Sequence, residues 1–333
     1  MRQGLSTMAL SMMLAIAVPS AFVAIAGVSP VTTWLVLITH TLGDWQGLSE
    51  VLLHAIALML VGAGVCVAFR GGLFNIGGDG QLIAGAILAV AMAPLCVGLG
   101  ALALPGFLLL GALGGALIGA LVGWLRARFA ANEIIVTIML NYVLLQVLAW
   151  AIRGPLQEPM KIFPRSVPLD ASMHLSIIDS NSQLHSGLWL ALATLIIVQL
   201  VLSRSAFGFR ISAIGSSTDA AHYAGIPLGR TIISAMALSG ALGGLAGAVE
   251  IAGVFHRLED NFSSGIGLSA IAVALMARLQ PAWVPLSALL FGVFQVGSGA
   301  LQRQLDLPFP IVWIIQASVI LAFLCHRPGT RQT

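Results

Sequence analysis

Apolar runs of about 20 residues recur along this chain, and no other feature constrains its fold as strongly. As a helix, each run is long enough to cross a hydrocarbon core roughly 30 Å thick. The composition points the same way: of 333 residues 59% are hydrophobic and 8% charged, far below the roughly 25% charge of soluble chains. Soluble enzymes and nucleic-acid-binding proteins are therefore excluded, and the expected fold is all-α, a polytopic transmembrane bundle forming one domain over residues 1–333.

Apolar windows bounded by breakers give about ten candidate spans: Met8 to Val28, Val51 to Phe69, Gly80 to Val97, Leu102 to Leu125, Glu133 to Ile152, Leu188 to Leu202, Thr231 to Val254, Phe262 to Leu279, Trp283 to Leu301 and Phe309 to Cys325. The net charge of +3 comes from 14 Arg and one lysine, Lys161, so its meaning depends on which side of a membrane each residue occupies. With a cytoplasmic amino terminus, ten basic residues fall inside and five outside, the latter being Arg153, Lys161, Arg165, Arg257 and Arg303. The excess sets the expected orientation, with both termini cytoplasmic. Ala24-Ile25-Ala26 resembles a signal cleavage site, but the run before it is longer than a usual signal core, and an uncleaved span is expected.

Residues 153–187, outside, carry Pro155, Pro159, Pro164 and Pro168, which argue for an irregular cap over the outer mouth. Residues 203–230 form the longer inner loop, and Asp44 to Glu50 reads as a short interfacial helix. Cys66, Cys96 and Cys325 lie far apart in apolar sequence and give no metal or disulfide pattern. The chain has no phosphate-cradling loop, since Lys161 lies between Met160 and Ile162, and it lacks the short signatures of zinc proteolysis, serine hydrolysis and dinucleotide binding. It reads as a transport component and not an enzyme. An ion-coupled secondary transporter of a small polar solute is the alternative; it usually requires an ionisable group near mid-span, where this chain offers Thr137, Asn141, Gln146, Gln295 and Gln316.

The run Arg70-Gly-Gly-Leu-Phe-Asn-Ile-Gly-Gly-Asp-Gly-Gln81 places five glycines in twelve residues between two spans. Non-helical backbone at membrane depth persists only where protein or a wet cavity covers it, so Asn75 and Gln81 are pathway candidates, as are Thr137, Asn141 and Asn261. Asp79 is either a pathway residue or a cap for the third span, and Asn132 and Glu133 read as a cap for the fifth. Gly111, Gly115, Gly119 and Gly123 recur every fourth residue and mark a packing face, as do Gly240 with Gly244 and Gly243 with Gly247. A weak echo between residues 75–86 and 261–272, entering the membrane from opposite sides, suggests inverted repeats with broken helices. In the inner loop, Ser216 and Asp219 look like a capping box, and Gly225 followed by Pro227 like a stop. The two-turn helix between them is too short to stand alone and must pack on something.

The runs at 72–81, at 132–141 (Asn-Glu-Ile-Ile-Val-Thr-Ile-Met-Leu-Asn) and at 208–227 resemble the permease subunits of ABC importers for simple sugars, nucleosides and branched-chain amino acids, most of all the sugar and nucleoside branch. The resemblance covers roughly Val51 to Cys325. It implies a bacterial inner-membrane importer with two permease chains, the same or paralogous, and cytoplasmic ATPase subunits that hold ATP and Mg²⁺, this chain itself having no cofactor. It also implies a periplasmic or lipid-anchored solute-binding protein. The coupling helix that docks on the ATPase would lie at Ser216 to Ala224, drawing on Gly215, Ser216, Asp219, Ala220, Ala221 and Gly225. Many relatives have Asn where Ser216-Ser217 stands here.

Overall fold

The computed structural model describes residues 13, 16–179, 181–263, 265–307, 314 and 316–318. Among the described residues the fold is helical, with isolated bridges in place of strands. The α-helices are α1 (Ile16–Ile25), α2 (Pro30–Leu42), α3 (Trp45–Arg70), α4 (Gly78–Cys96), α5 (Ala103–Phe129) and α6 (Glu133–Arg153). They continue with α7 (Gly187–Arg204), α8 (Ala206–Ser216), α9 (Thr218–Tyr223), α10 (Leu228–Glu250), α11 (Ile266–Met276) and α12 (Val284–Leu305), and a π-helical turn, Ile251–Phe255, extends α10.

Seven helices among the described residues are long and apolar enough to cross a membrane, or eight if α1 and α2, bent by 114°, count as one span. That is fewer than the ten expected. The candidate at Phe262 to Leu279 shrinks to the eleven residues of α11, because Asn261 and Gly265 take left-handed backbone that a helix cannot contain. Asp44 to Glu50 is no separate interfacial helix, since Trp45 opens the continuous 26-residue α3. Pro30 starts α2, a helix absent from the expected spans, where a fixed φ suits the first turn. The candidate at Phe309 to Cys325 lies almost wholly outside the described residues, as does the start of the one at Met8.

The chain forms two compact units. In the unit of Met1–Ala55 and Leu289–Thr333, Val23, Val36 and Leu37 pack with Phe294, Leu301 and Leu307. The unit of Ile56–Ala288 is built on α10, which lies against α5 with almost no side chain between them. A Cβ on Gly115 would stand 2.0 Å from the Gly240 carbonyl oxygen, and one on Gly244 would stand 2.2 Å from that of Gly111. Gly119 meets Met236, Gly123 meets Ile233, and Gly247 meets the backbone of α4 at Leu82. Without a hydrophobic drive between helices in lipid, close backbone approach and the dispersion it brings hold such a pair.

This second unit has two distinguishable ends. At the basal end lie Arg70, the start of α6 at Glu133 and the α8–α9 segment; at the cap end lies the proline-rich segment after α6. Among its described residues that segment has little regular structure, with one short 3₁₀ turn, Ala171–Met173. It is strapped to the chain beyond α10: Ser166 N–H donates to Leu258 O at 3.0 Å, Leu169 N–H to His256 O at 2.7 Å and Leu175 N–H to Ala252 O at 2.9 Å.

Candidate functional site

Two spans of the second unit are broken, and they run in opposite directions. From the basal end, a turn at Gly71 and Gly72 and the irregular residues 73–77 enter the bundle before α4 begins at Gly78. From the cap end, the chain leaves helix after Phe255, residues 256–263 are outside any helix, and α11 begins at Ile266. The two helix N-termini meet: a Cβ on Gly267 would lie 2.2 Å from Asp79 N, and one on Gly78 would lie 2.9 Å from Gly267 Cα. Asp79 closes the seam by accepting the Gly267 N–H at 2.8 Å. Its carboxylate therefore caps α11, not the α4 helix that carries it, because left-handed Gly265 offers no side chain for that task. The positive ends of two helix dipoles face this one carboxyl group.

The amides expected on a pathway converge on the first broken segment. Asn75 and Gln81 exchange hydrogen bonds at 3.0 and 3.1 Å, and Asn75 Nδ2 also donates to Ser239 Oγ at 2.8 Å while Asn75 Oδ1 accepts Gly77 N–H at 3.0 Å. Asn141 bridges the break, accepting Gly80 N–H at 2.8 Å and donating to Ile76 O at 2.9 Å. One turn earlier, Thr137 Oγ1 accepts Ile76 N–H at 3.3 Å and donates to Glu133 O at 2.7 Å. Asn141 lies eight residues into α6 and Ser239 eleven into α10, about 12 and 17 Å from the basal ends of those helices, so this network sits near the middle of a bilayer-thick bundle.

In this conformation the four residues satisfy backbone and one another instead of presenting free groups to an opening. An unpaired amide or carbonyl at that depth is costly, and these side chains replace the helical partners that the break removes. Asn261 does not join them: it is exposed beside Asp260, which pairs with Arg153 at the cap end of α6. Ser239, Glu133 and Gly267 take part without having been singled out for this cluster, and a serine inside a glycine-rich span gave no spacing signal. Glu133 is buried, pairs with Arg126 at 3.3 Å and accepts Phe74 N–H at 3.4 Å, in addition to standing next to Asn132, which caps α6. Gln146 and Gln295 are exposed.

The basal loop also departs from expectation. Residues 203–230 hold two helices, and Ser217, not Ser216, is the N-cap of α9, accepting Ala220 N–H at 3.2 Å. Ser216 is the last residue of α8, its hydroxyl turned back to Ser212 O. The stop lies at Gly225, which has φ +75° and whose N–H reaches His222 O at 2.9 Å while Ile226 N–H returns to Ala221 O at 3.0 Å. Ala221, expected on a partner-facing surface, is buried against the chain's own helices; the other five residues of α9, Thr218, Asp219, Ala220, His222 and Tyr223, are exposed, Tyr223 at 90%. Gly215 packs on the Arg70 backbone, 2.0 Å from Cβ position to carbonyl oxygen.

Three histidines meet beneath the cap. His174 and His256 stack with ring centroids 4.0 Å apart, and buried His185 seats against Gly253 with Nδ1 accepting Gly187 N–H at 3.2 Å. Burial, then the nearby His256, pushes the His185 imidazole down to about 4. Burial and then His174 lower His256 as well. Among the described residues no group of three or more His, Cys, Asp or Glu is arranged to hold a metal ion.

Residues 47–324 match the family described as branched-chain amino acid transport system / permease component. The chain is 33% identical over 326 residues to a glucose ABC transporter permease protein of Haloferax volcanii, covering 95% of this chain and 86% of the relative. It is 33% identical over 316 residues to a guanosine ABC transporter permease protein of Bacillus subtilis, covering 94% and 90%. A nucleoside ABC transporter permease protein of Lactococcus lactis is 31% identical over 304 residues, covering 88% and 83%.

Proposed function

The chain belongs to this permease family, on its sugar and nucleoside branch, as a multi-pass membrane subunit of an ABC importer, and from that premise we propose that it translocates a simple sugar or a nucleoside. The observation that carries this reading is the pair of opposed broken spans meeting at mid-bundle, where two helix N-termini and neutral hydrogen-bonding side chains suit a polyhydroxyl or heterocyclic solute. Asn75, Gln81, Thr137 and Asn141 fix the shape of the first broken segment, and separation of the Gly78 and Gly267 backbones opens the route. Asn261 belongs to the mouth of that route.

The solute arrives on an extracytoplasmic binding protein, and a second permease chain, identical or paralogous, completes the pathway. ATP and Mg²⁺ are held by a cytoplasmic ATPase subunit against the exposed face of α9, with Gly215 and Ser216 behind it. The basal end faces the cytoplasm, as do both termini. The relatives named for glucose and nucleosides, similar over most of their length, support this solute class.

The test is reconstitution of this chain with its ATPase, partner permease and binding protein in proteoliposomes. Labelled adenosine, guanosine and glucose are offered outside, with ATP enclosed. Uptake of one class that requires ATP and ignores an imposed membrane potential is expected. Uptake driven by an ion gradient without ATP would overturn the proposal.

A further inference from the structure

We infer that Arg70 is a positioning residue that carries movement of the α8–α9 segment into both broken spans, an inference that rests on the proposed import function. Three elements converge on it. From the basal side, α8 touches the Arg70 main chain with no side chain between, since a Cβ on Gly215 would stand 2.0 Å from the Arg70 carbonyl oxygen. Ile211, one turn earlier on α8, fills the space beside Gly71, 3.3 Å from its Cβ position. Sideways, Arg70 Nε donates to Leu279 O at 2.9 Å. Leu279 ends the span begun by α11, where Arg278 and Leu279 both take left-handed backbone, with φ 52° and 55°.

Forward along the chain, a tight turn joins Arg70 to the first broken segment, with Gly71 N–H on Ala68 O, Gly72 N–H on Phe69 O and Leu73 N–H on Ala68 O, at 2.9 to 3.1 Å. The linkage then closes on itself. The far end of α11 carries Gly267, bonded to Asp79, and Asp79 stands in the first turn of α4 just after that same segment. A push on α8 therefore reaches the seam by two routes, through residues 71–77 and through α11, and Arg70 is the fork. Backbone contacts and short hydrogen bonds leave little slack along either route, so a displacement is passed on instead of being absorbed by rotamer changes.

The measurement uses the complete importer in proteoliposomes. Arg70→Met keeps the apolar stem and removes the donor, whereas Arg70→Lys keeps a charge and one donor. Arg70→Met is expected to retain the ATPase subunit on co-purification yet lose about tenfold in uptake and in the extra hydrolysis that loaded binding protein elicits, with Arg70→Lys recovering most of both. Gly215→Ala, which leaves the Arg70 side chain untouched, should produce the same loss. The double variant should be no worse than the poorer single one, because the two sites act on one link. Normal stimulation and uptake in Arg70→Met and Gly215→Ala would overturn the inference. So would loss of the ATPase subunit from Arg70→Met, which would make Arg70 part of the docking surface. Absence of ATP-driven uptake in the unaltered complex would instead refute the import reading itself, and this inference with it.

Discussion

Asn141 shows how much one side chain can be asked to do at mid-bundle. Its amide supplies an acceptor to Gly80 and a donor to Ile76, two backbone groups that the break in the helix has left without helical partners. Asn141→Leu is similar in size but leaves both unpaired, at about 1–3 kcal/mol each. The expected outcome is a lower thermal unfolding midpoint in nanodiscs together with reduced uptake, whereas Tyr142→Leu, at an exposed neighbour, changes neither midpoint nor uptake. Wild-type behaviour of Asn141→Leu would mean that water replaces the amide. His185 presents a second case, outside the membrane spans. In the folded protein its Nδ1 accepts a hydrogen bond and its pKa falls to about 4, below the ordinary 6.5 that unfolding restores. The unfolded segment thus binds the proton more readily, so the cap's stability is intact above about pH 6.5 and declines as the pH falls from there toward 4. Hydrogen-exchange protection factors across the 165–187 strap should drop by up to about tenfold per pH unit in that window, and His185→Gln should flatten the profile. An unchanged slope in His185→Gln would place the titrating group elsewhere.

Among the elements, two glycines matter for different reasons, and substitution separates them. Gly115 is needed for closeness: the methyl of Gly115→Ala would sit 2.0 Å from the Gly240 carbonyl oxygen, so α5 and α10 must move apart and lose contact along the seam. Loss of roughly 2 kcal/mol or more is expected, seen as poor recovery of folded protein from the membrane, while Gly229→Ala at the start of α10, where the nearest neighbour is 3.7 Å away, is tolerated. Gly225 is needed for its backbone: nothing lies within 4 Å of a Cβ there, but φ is +75°. Gly225→Val should therefore cost about 1–2 kcal/mol through conformation alone, loosening the six-residue α9 and reducing retention of the ATPase subunit on co-purification. Full retention would make this segment a linker. The same distinction explains why the eighth expected span failed. An apolar stretch from Phe262 to Leu279 satisfies hydropathy, yet left-handed Gly265 and the contact at Gly267 convert its first part into a descending chain.

For the molecule as a whole, the proposed orientation rests on the arginines. The basal end carries Arg70, Arg126, Arg204 and Arg210, and the cap end carries the proline-rich strap with Lys161 at its exposed tip. In the orientation proposed above, which applies the positive-inside rule, the first group faces the cytoplasm. In a variant with its native cysteines replaced, a cysteine at exposed Pro159 should react with an impermeant thiol reagent supplied outside, and one at exposed Asp219 only after the cytoplasmic face is opened. Reversed labelling would invert the topology and remove α9 from contact with a cytoplasmic ATPase.

What the sequence determined by itself was local and compositional. Apolar length made this an all-α membrane protein, glycine clustering marked the break at 71–77, fourth-residue glycines marked the α5 packing face, and Gly225 with Pro227 marked the end of α9. These signals lie within one element, where spacing along the chain equals spacing in space. Tertiary structure decided everything that joins residues far apart. It brought Asn75 to Ser239, 164 positions away, and Asp79 to Gly267, 188 positions away, turned Ala221 inward, and left Asn261 at the cap end, apart from the mid-bundle amides it was expected to join. Neutral amides read alike whether they line an opening or satisfy a broken backbone; only the position of the groups left unpaired by the break assigns them, and that position is set by how the helices pack.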